Sequence, residues 1–171
     1  INYQAANRGT PDDYNEWDEM GATGWDWDNV LQYFRKLERD EQFDGDFHGR
    51  SGPLPIRRVF REDWSGFSKA TADSFASMGL DYFEDQNGGF EDGYFPMTVN
   101  NSNDQRVSAA IAYLNEEVRA RKNLKILSNS TAKNIVFNER KAVGVRLDNK
   151  GKDETYYGHE IVISAGASHS P

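Results

Sequence analysis

Three histidines, at positions 48, 159 and 169, are the first places to look for chemistry in this chain. They share no short spacing, and no cysteine stands beside them because the chain has none. A structural zinc site needs four ligands converging in a tetrahedron, usually from paired Cys or His positions. The three imidazoles are therefore read as partly exposed loop or strand-edge groups. Disulfides, thiolate metal centres and cysteine nucleophiles are excluded. Two acid- and glycine-bearing loops are candidates for a hard cation: Asp40, Asp44 and Asp46 with Gly45 and Gly49, and Asp85, Asn87 and Asp92 with Gly89. Neither keeps the D-x-D-x-D-G order with a glutamate at the twelfth position, so both read as solvated turns. The neighbouring carboxylates Asp12/Asp13 and Glu116/Glu117 define no separation from which a glycosidase pair follows. No G-x-S-x-G, H-E-x-x-H, Walker A or G-x-G-x-x-G run occurs. Any bound dinucleotide would have its pyrophosphate loop outside these residues. Trp17, Trp25, Trp27 and Trp64, with Tyr14 and Tyr33, fit a carbohydrate platform or core-and-lid packing. Helical spacing and neighbouring glycine turns favour packing.

The elements that position these groups need a core to fold on. Of 171 residues, 37% are hydrophobic and 13% aromatic, enough for packed structure. Twenty Lys and Arg against 28 Asp and Glu give a formal charge of −8. That balance excludes a nucleic-acid binder, which needs a basic footprint to displace phosphate counterions, and an anionic-lipid binder. No apolar run approaches the roughly 18 residues of a membrane span, and no signal peptide is visible. The lack of cysteine fits both reducing and oxidising surroundings, and a cytoplasmic location is the expectation.

Along the chain, residues 1–26 read as polar loop with a turn at Arg8-Gly9-Thr10-Pro11. Asp26 is placed to cap a helix whose apolar stripe runs Trp27, Val30, Leu31, Phe34 and Leu37 and ends near Asp40. Residues 42–53 are glycine-rich loop. Leu54–Phe60 is extended, with Pro55 confining it to an edge or a strand start. A second helix is expected from Ser65 to Met78, with Gly79 as its C-terminal glycine, and Tyr94–Val99 as a strand. A third helix is expected from Val107 to Arg121. Beyond it, 124–127, 131–137, 142–147 and 154–157 are strand candidates separated by turns at 138–141 and 149–151. The apolar run Ile161–Ala165, ending in Gly166, has the character of a buried parallel strand meeting a ligand at its C-terminal end. A soft boundary falls near residue 105.

An ordered series of short motifs then becomes recognisable. It begins with Ile1-Asn2, Arg8-Gly9, Asp13-Tyr14-Asn15-x-Trp17, Gly21-x-x-Gly24-Trp25 and Tyr33-Phe34-x-x-x-Glu38. It continues with His48-Gly49-x-x-Gly52-Pro53-Leu54, Asp85-x-Asn87-Gly88 and Arg106-x-Ser108-Ala109-Ala110-x-Ala112-Tyr113-Leu114. It closes with Arg121-x-Asn123-Leu124, Ala142-x-Gly144-Val145 and Glu160-Ile161-Val162-Ile163-Ser164-Ala165-Gly166. The series resembles the glucose–methanol–choline family of FAD-dependent oxidoreductases, its choline dehydrogenase-like members above all, over essentially the whole chain.

The resemblance implies an internal fragment of a two-domain FAD oxidoreductase of α+β class. Residues 1–53 would be lid and extended FAD-covering segment, and 54–105 part of a substrate-binding domain of antiparallel strands and helices. Residues 106–171 would be part of the FAD-binding domain: a helix, a β-meander and one parallel strand. Ile1-Asn2 is similar to the end of the family's first signature, and Gly166–Pro171 to the opening of its second. The implied activity is oxidation of a small primary alcohol, choline-like, by hydride transfer to FAD. The family's catalytic histidine and its His/Asn partner would lie beyond Pro171, so no catalytic residue is assigned, and His169 does not match that position. The implied cofactor contacts are Asn2, Tyr3 (where many relatives carry Gly), Ala132 through its backbone, and Ala165 and Gly166. The isolated 171 residues are expected to be inactive, to hold FAD poorly, and to self-associate through the unpaired strand 161–165. The alternative from the residues alone is a non-enzymatic carbohydrate-binding module using the exposed aromatics.

Overall fold

Thr10 opens the first helix, α1 (Pro11–Glu19), through a reciprocal cap. Its Oγ1 accepts from Asp13 N–H, while Asp13 Oδ2 accepts from Thr10 N–H at 2.6 Å. Pro11 supplies a preset φ in the first turn, where a missing N–H costs nothing. This helix lies inside the stretch that reads as loop from its polar composition. The computed structural model describes residues 4–102, 105–166 and 168–170, and it divides into two units, 1–120 and 121–171.

In the first unit, α2 (Trp27–Leu37) starts where Asp26 accepts from Asn29 N–H, as its sequence predicts. It buries Trp27 and Val30. Asn15 of α1 accepts from Trp27 N–H at 3.1 Å, and Tyr14 packs against Trp27 and Phe34, joining the two helices. The chain passes directly into β1 (Glu38–Asp40), which pairs parallel with β2 (Leu54–Val59). After a 3₁₀ turn at Arg61–Asp63, Ser65 caps α3 (Gly66–Ser77), and the helix ends before Gly79 at φ +86°. β3 (Met97–Val99) then pairs antiparallel with β2, giving the order β1-β2-β3.

Pro55 is the second residue of β2, at the strand start its sequence predicts, although β2 is the central strand of the sheet. It is tolerated because β3 pairs only with residues 57–59, so β2 is flanked on one side alone at Pro55. Ile56, Ala72, Val99 and Val107 join Trp27 and Val30 as the unit's buried apolar residues. A hairpin of β4 (Asn101–Ser102) and β5 (Gln105–Arg106) follows. The helix expected over 107–121 is two short helices, α4 (Ala109–Tyr113) and α5 (Glu116–Arg119). The break comes at Asn115, whose side chain accepts from Val118 N–H and so starts a new helix.

The second unit is an antiparallel meander of β6 (Ser130–Asn138), β7 (Lys141–Asn149) and β8 (Lys152–Tyr157). Both hairpins turn at the expected sites, and Leu147 is the buried apolar residue of β7. Two expected strands do not form. Residues 124–127 and 161–165 have no strand partner among the described residues. A strand is a ladder of shared backbone hydrogen bonds, and an apolar run without a neighbour has nothing to complete it. Val162 is 83% exposed here, so the apolar surface is present without the open strand edge expected to drive association. No helix among the described residues is long and apolar enough to cross a membrane.

Candidate functional site

The two acidic residues of β1 face inward, which inverts the usual distribution. Glu38 and Asp40 are buried while Arg39 between them is exposed. Buried carboxylates need charged partners, and three segments of the first unit supply them. Arg8 from the N-terminal segment pairs with Glu38. Arg58 from β2 pairs with Asp40 and with Asp85 of the loop before β3. His48, from the loop between β1 and β2, stands in the middle. Its Nδ1 is 3.3 Å from Glu38 Oε1 and 3.2 Å from Asp40 Oδ2, and its Nε2 is 2.8 Å from Asp85 Oδ2.

Two glycines bring that loop close enough. A Cβ on Gly49 would lie 1.8 Å from the Arg35 carbonyl oxygen, and one on Gly52 2.3 Å from the Leu37 carbonyl carbon. The bare backbone lets Gly49 N–H donate to Glu38 Oε1 at 2.8 Å and Gly52 N–H donate to the Glu38 carbonyl. Asp40 Oδ1 accepts from the backbone N–H groups of Gln42 and Phe43. Arg58 also lies over the Phe43 ring at 4.7 Å.

Burial works against the charge on His48, but its contacts with Asp40, Asp85 and Glu38 outweigh burial and raise its pKa to about 10. Burial likewise opposes ionisation of the carboxylates, and the partners win again. His48 and Arg8 hold Glu38 low, His48 and Arg58 hold Asp40 low, and the same pair holds Asp85 low. Three cations (Arg8, His48, Arg58) therefore face three anions (Glu38, Asp40, Asp85). Glu38, Asp40 and His48 also have the spacing of a metal-ligand group. A divalent cation there would displace a proton from His48 and compete with both guanidinium groups, so the cluster is built as an internally neutral ion network.

This overturns two expectations. His48 is not a partly exposed loop imidazole, and Asp40, Asp85 and Asn87 do not belong to solvated turns. Asn87 is buried; its Oδ1 accepts from Arg8 N–H at 3.1 Å and its Nδ2 donates to the Ala6 carbonyl at 2.8 Å. His159 and His169 are exposed, as expected. Among the tryptophans, Trp27 is buried, whereas Trp17 and Trp25 are about half exposed and pack on each other at 6.0 Å. The site residues inferred by resemblance are scattered. Asn2 and Tyr3 lie outside the described residues. Ala132 is exposed on β6 opposite Leu147, next to a register shift that leaves Lys133 unpaired in the ladder. Ala165 N–H donates to Ser170 Oγ, and Gly166, at φ +85°, takes His169 and Ser170 N–H on its carbonyl, closing a small turn.

Comparison with known proteins places this architecture in a family. The GMC oxidoreductase family model matches residues 1–171, and the chain belongs to that family. It is 39% identical over 172 residues to the 5-(hydroxymethyl)furfural oxidase of Methylovorus sp. (strain MP688), covering all of this chain and 32% of that protein. It is 32% identical to an oxygen-dependent choline dehydrogenase of Rhizobium johnstonii, covering all of this chain and 31% of the relative. Among solved structures it resembles pyridoxine 4-oxidase from Mesorbium loti, with a TM-score of 0.83 and 28% identity. That match covers 92% of this chain and 31% of the other. The chain thus spans about a third of the length of the curated relatives it matches. These comparisons support an oxidoreductase rather than the glycan-binding alternative.

Proposed function

We propose that the protein containing this chain oxidises a small primary alcohol with FAD as the hydride acceptor, and that this chain forms walls around the cofactor rather than its reacting groups. The observation that carries the reading is the family match along all 171 residues. The relatives support a CH₂OH group as the substrate's common part, since one is named for hydroxymethylfurfural and another for choline. FAD, when bound, accepts the hydride from the carbinol carbon.

The local geometry of the assigned residues fits a dinucleotide. Gly166 combines a left-handed φ with open space, since a Cβ there would meet no atom within 4 Å. The cofactor can approach the backbone closely at such a turn. Ala132 presents a small exposed side chain beside a register shift in β6, and bulged strands are places where a ligand edge can meet the backbone. Ala165 amide is already used by Ser170, so Ala165 contributes shape rather than a donor. Asn2 and Tyr3 keep their assignment near the flavin end from resemblance alone. The domain assignment is retained: lid and FAD cover over 1–53, substrate domain over 54–105, FAD domain over 106–171. The chain taken by itself holds FAD poorly and turns over no alcohol, because an extended cofactor draws donors from several separated loops. Self-association of the isolated chain is carried by the exposed Val162 and Ile163.

Purification of the full-length protein tests the reading. One FAD released per chain is the expected result. A colourless protein that takes up no FAD on titration contradicts it.

A further inference from the structure

We infer that Asn87, acting with Arg8, is a positioning residue that presets the path of the N-terminal segment leading from the cofactor contact at Asn2. The inference rests on the flavoenzyme reading above. Three sets of bonds hold residues 4–8. Gln4 carbonyl accepts from Asn100 N–H, and Ala6 N–H donates to the Thr98 carbonyl, so the segment runs as an added strand beside β3. Asn87 then brackets it, donating to Ala6 carbonyl and accepting from Arg8 N–H. Arg8 carries the anchor further, with Nη1 donating to the Phe47 carbonyl at 2.6 Å and Nη2 pairing with Glu38.

The backbone and Asn87 partners lie 79 to 96 positions away in sequence, and those of the Arg8 side chain 30 and 39, so the segment's own composition does not set its path. Asn87 is suited to the task because its amide offers a donor and an acceptor on one rigid plane. It is 1% exposed, so water does not replace either bond. Its own place is set by Asp85, whose Oδ1 accepts from Asn87 N–H while the same carboxyl group holds Arg58 and His48. The ion network is therefore the foundation, and Asn87 is the grip on the segment.

The test uses the full-length protein stripped of flavin and titrated with FAD well below its melting temperature. Asn87→Ser, which removes both bonds without touching a charge, is expected to weaken FAD binding at least tenfold and to change the visible circular dichroism of the flavin that remains bound. A variant that melts earlier yet binds FAD with unchanged affinity and dichroism overturns the inference, because a merely structural residue does that. Hydrogen exchange on the unaltered apoprotein gives a second reading that needs no variant. Ala6 and Arg8 amides are expected to be protected before FAD is added. Exchange at the rate of an open loop overturns the inference. If the unaltered protein binds no FAD, the functional reading fails first and takes this one with it.

Discussion

His48 Nε2 stands 2.8 Å from Asp85 Oδ2, across 37 positions of sequence, and this contact ties the loop between β1 and β2 to the loop before β3. On the other side of the ring, Nδ1 faces Glu38 and Asp40. One imidazole thus serves three carboxylates from two elements, which a lysine's single ammonium centre on a flexible stem would not hold in the same plane.

Removing one member leaves the others charged and dry. Asp85→Asn or His48→Gln is expected to destabilise the protein by about 3–5 kcal/mol, the range for breaking a buried pair from one side. Denaturant unfolding checks this. A loss below about 1 kcal/mol would mean that water already reaches the cluster.

The network also sets a pH dependence. His48 has a folded pKa near 10 against an ordinary value of 6.5, so its contribution is complete below pH 6.5 and is lost as pH rises toward 10. Glu38, Asp40 and Asp85 are held below their ordinary values of 4.5, 3.8 and 3.8, so theirs is complete above those values and is lost as pH falls through the lowered ones. Thermal stability should peak between about pH 5 and 6.5. His48→Gln should flatten the alkaline side and leave part of the acid side. An alkaline limb identical in the variant would remove His48 from the account.

Gly49 tests the close approach. Gly49→Ala places a methyl group against the Arg35 carbonyl, and a backbone atom cannot swing away as a side-chain tip can. The expected cost is about 3 kcal/mol or more. Gly45→Ala at φ +108° meets no atom and should cost only about 1 kcal/mol. Equal melting shifts for the two variants would deny that the loop is pinned at Gly49.

Much of the scaffold was legible in the sequence because its signals are local. Asp26 and Ser65 caps, Gly79, the α2 stripe and the two hairpin turns all act within a few residues of where they are read. α1 is signalled just as locally, by Thr10-Pro11-x-Asp13, but its acidic composition reads as loop and the aromatics it packs on belong to the next helix. The ion network left no such trace. Glu38-Arg39-Asp40 reads as an exposed charged end of a helix, and Asp85 and Asn87 read as loop residues. Their burial follows from pairings across as many as 81 positions. Residues 161–165 fail in the opposite sense. Their apolar run is strand-like, but a strand is specified by a partner as much as by its own side chains.

Cofactor contact through backbone predicts an asymmetry between two small residues. In the full-length protein, Ala132→Val should leave FAD affinity within about twofold, since β6 accepts a β-branched side chain. Gly166→Val should weaken it at least tenfold, because it forces a branched side chain into a left-handed turn and fills the space above it. FAD titration by fluorescence quenching reads both. Similar losses in the two variants would contradict the backbone assignment.

The most direct test is anaerobic mixing of the full-length, flavin-loaded protein with primary alcohols, 5-(hydroxymethyl)furfural and choline among them, while the flavin absorbance near 450 nm is followed. Bleaching by at least one CH₂OH compound, with the matching aldehyde formed in equal amount, is the predicted result. A bound flavin that dithionite reduces but no primary alcohol in the panel bleaches would contradict the account.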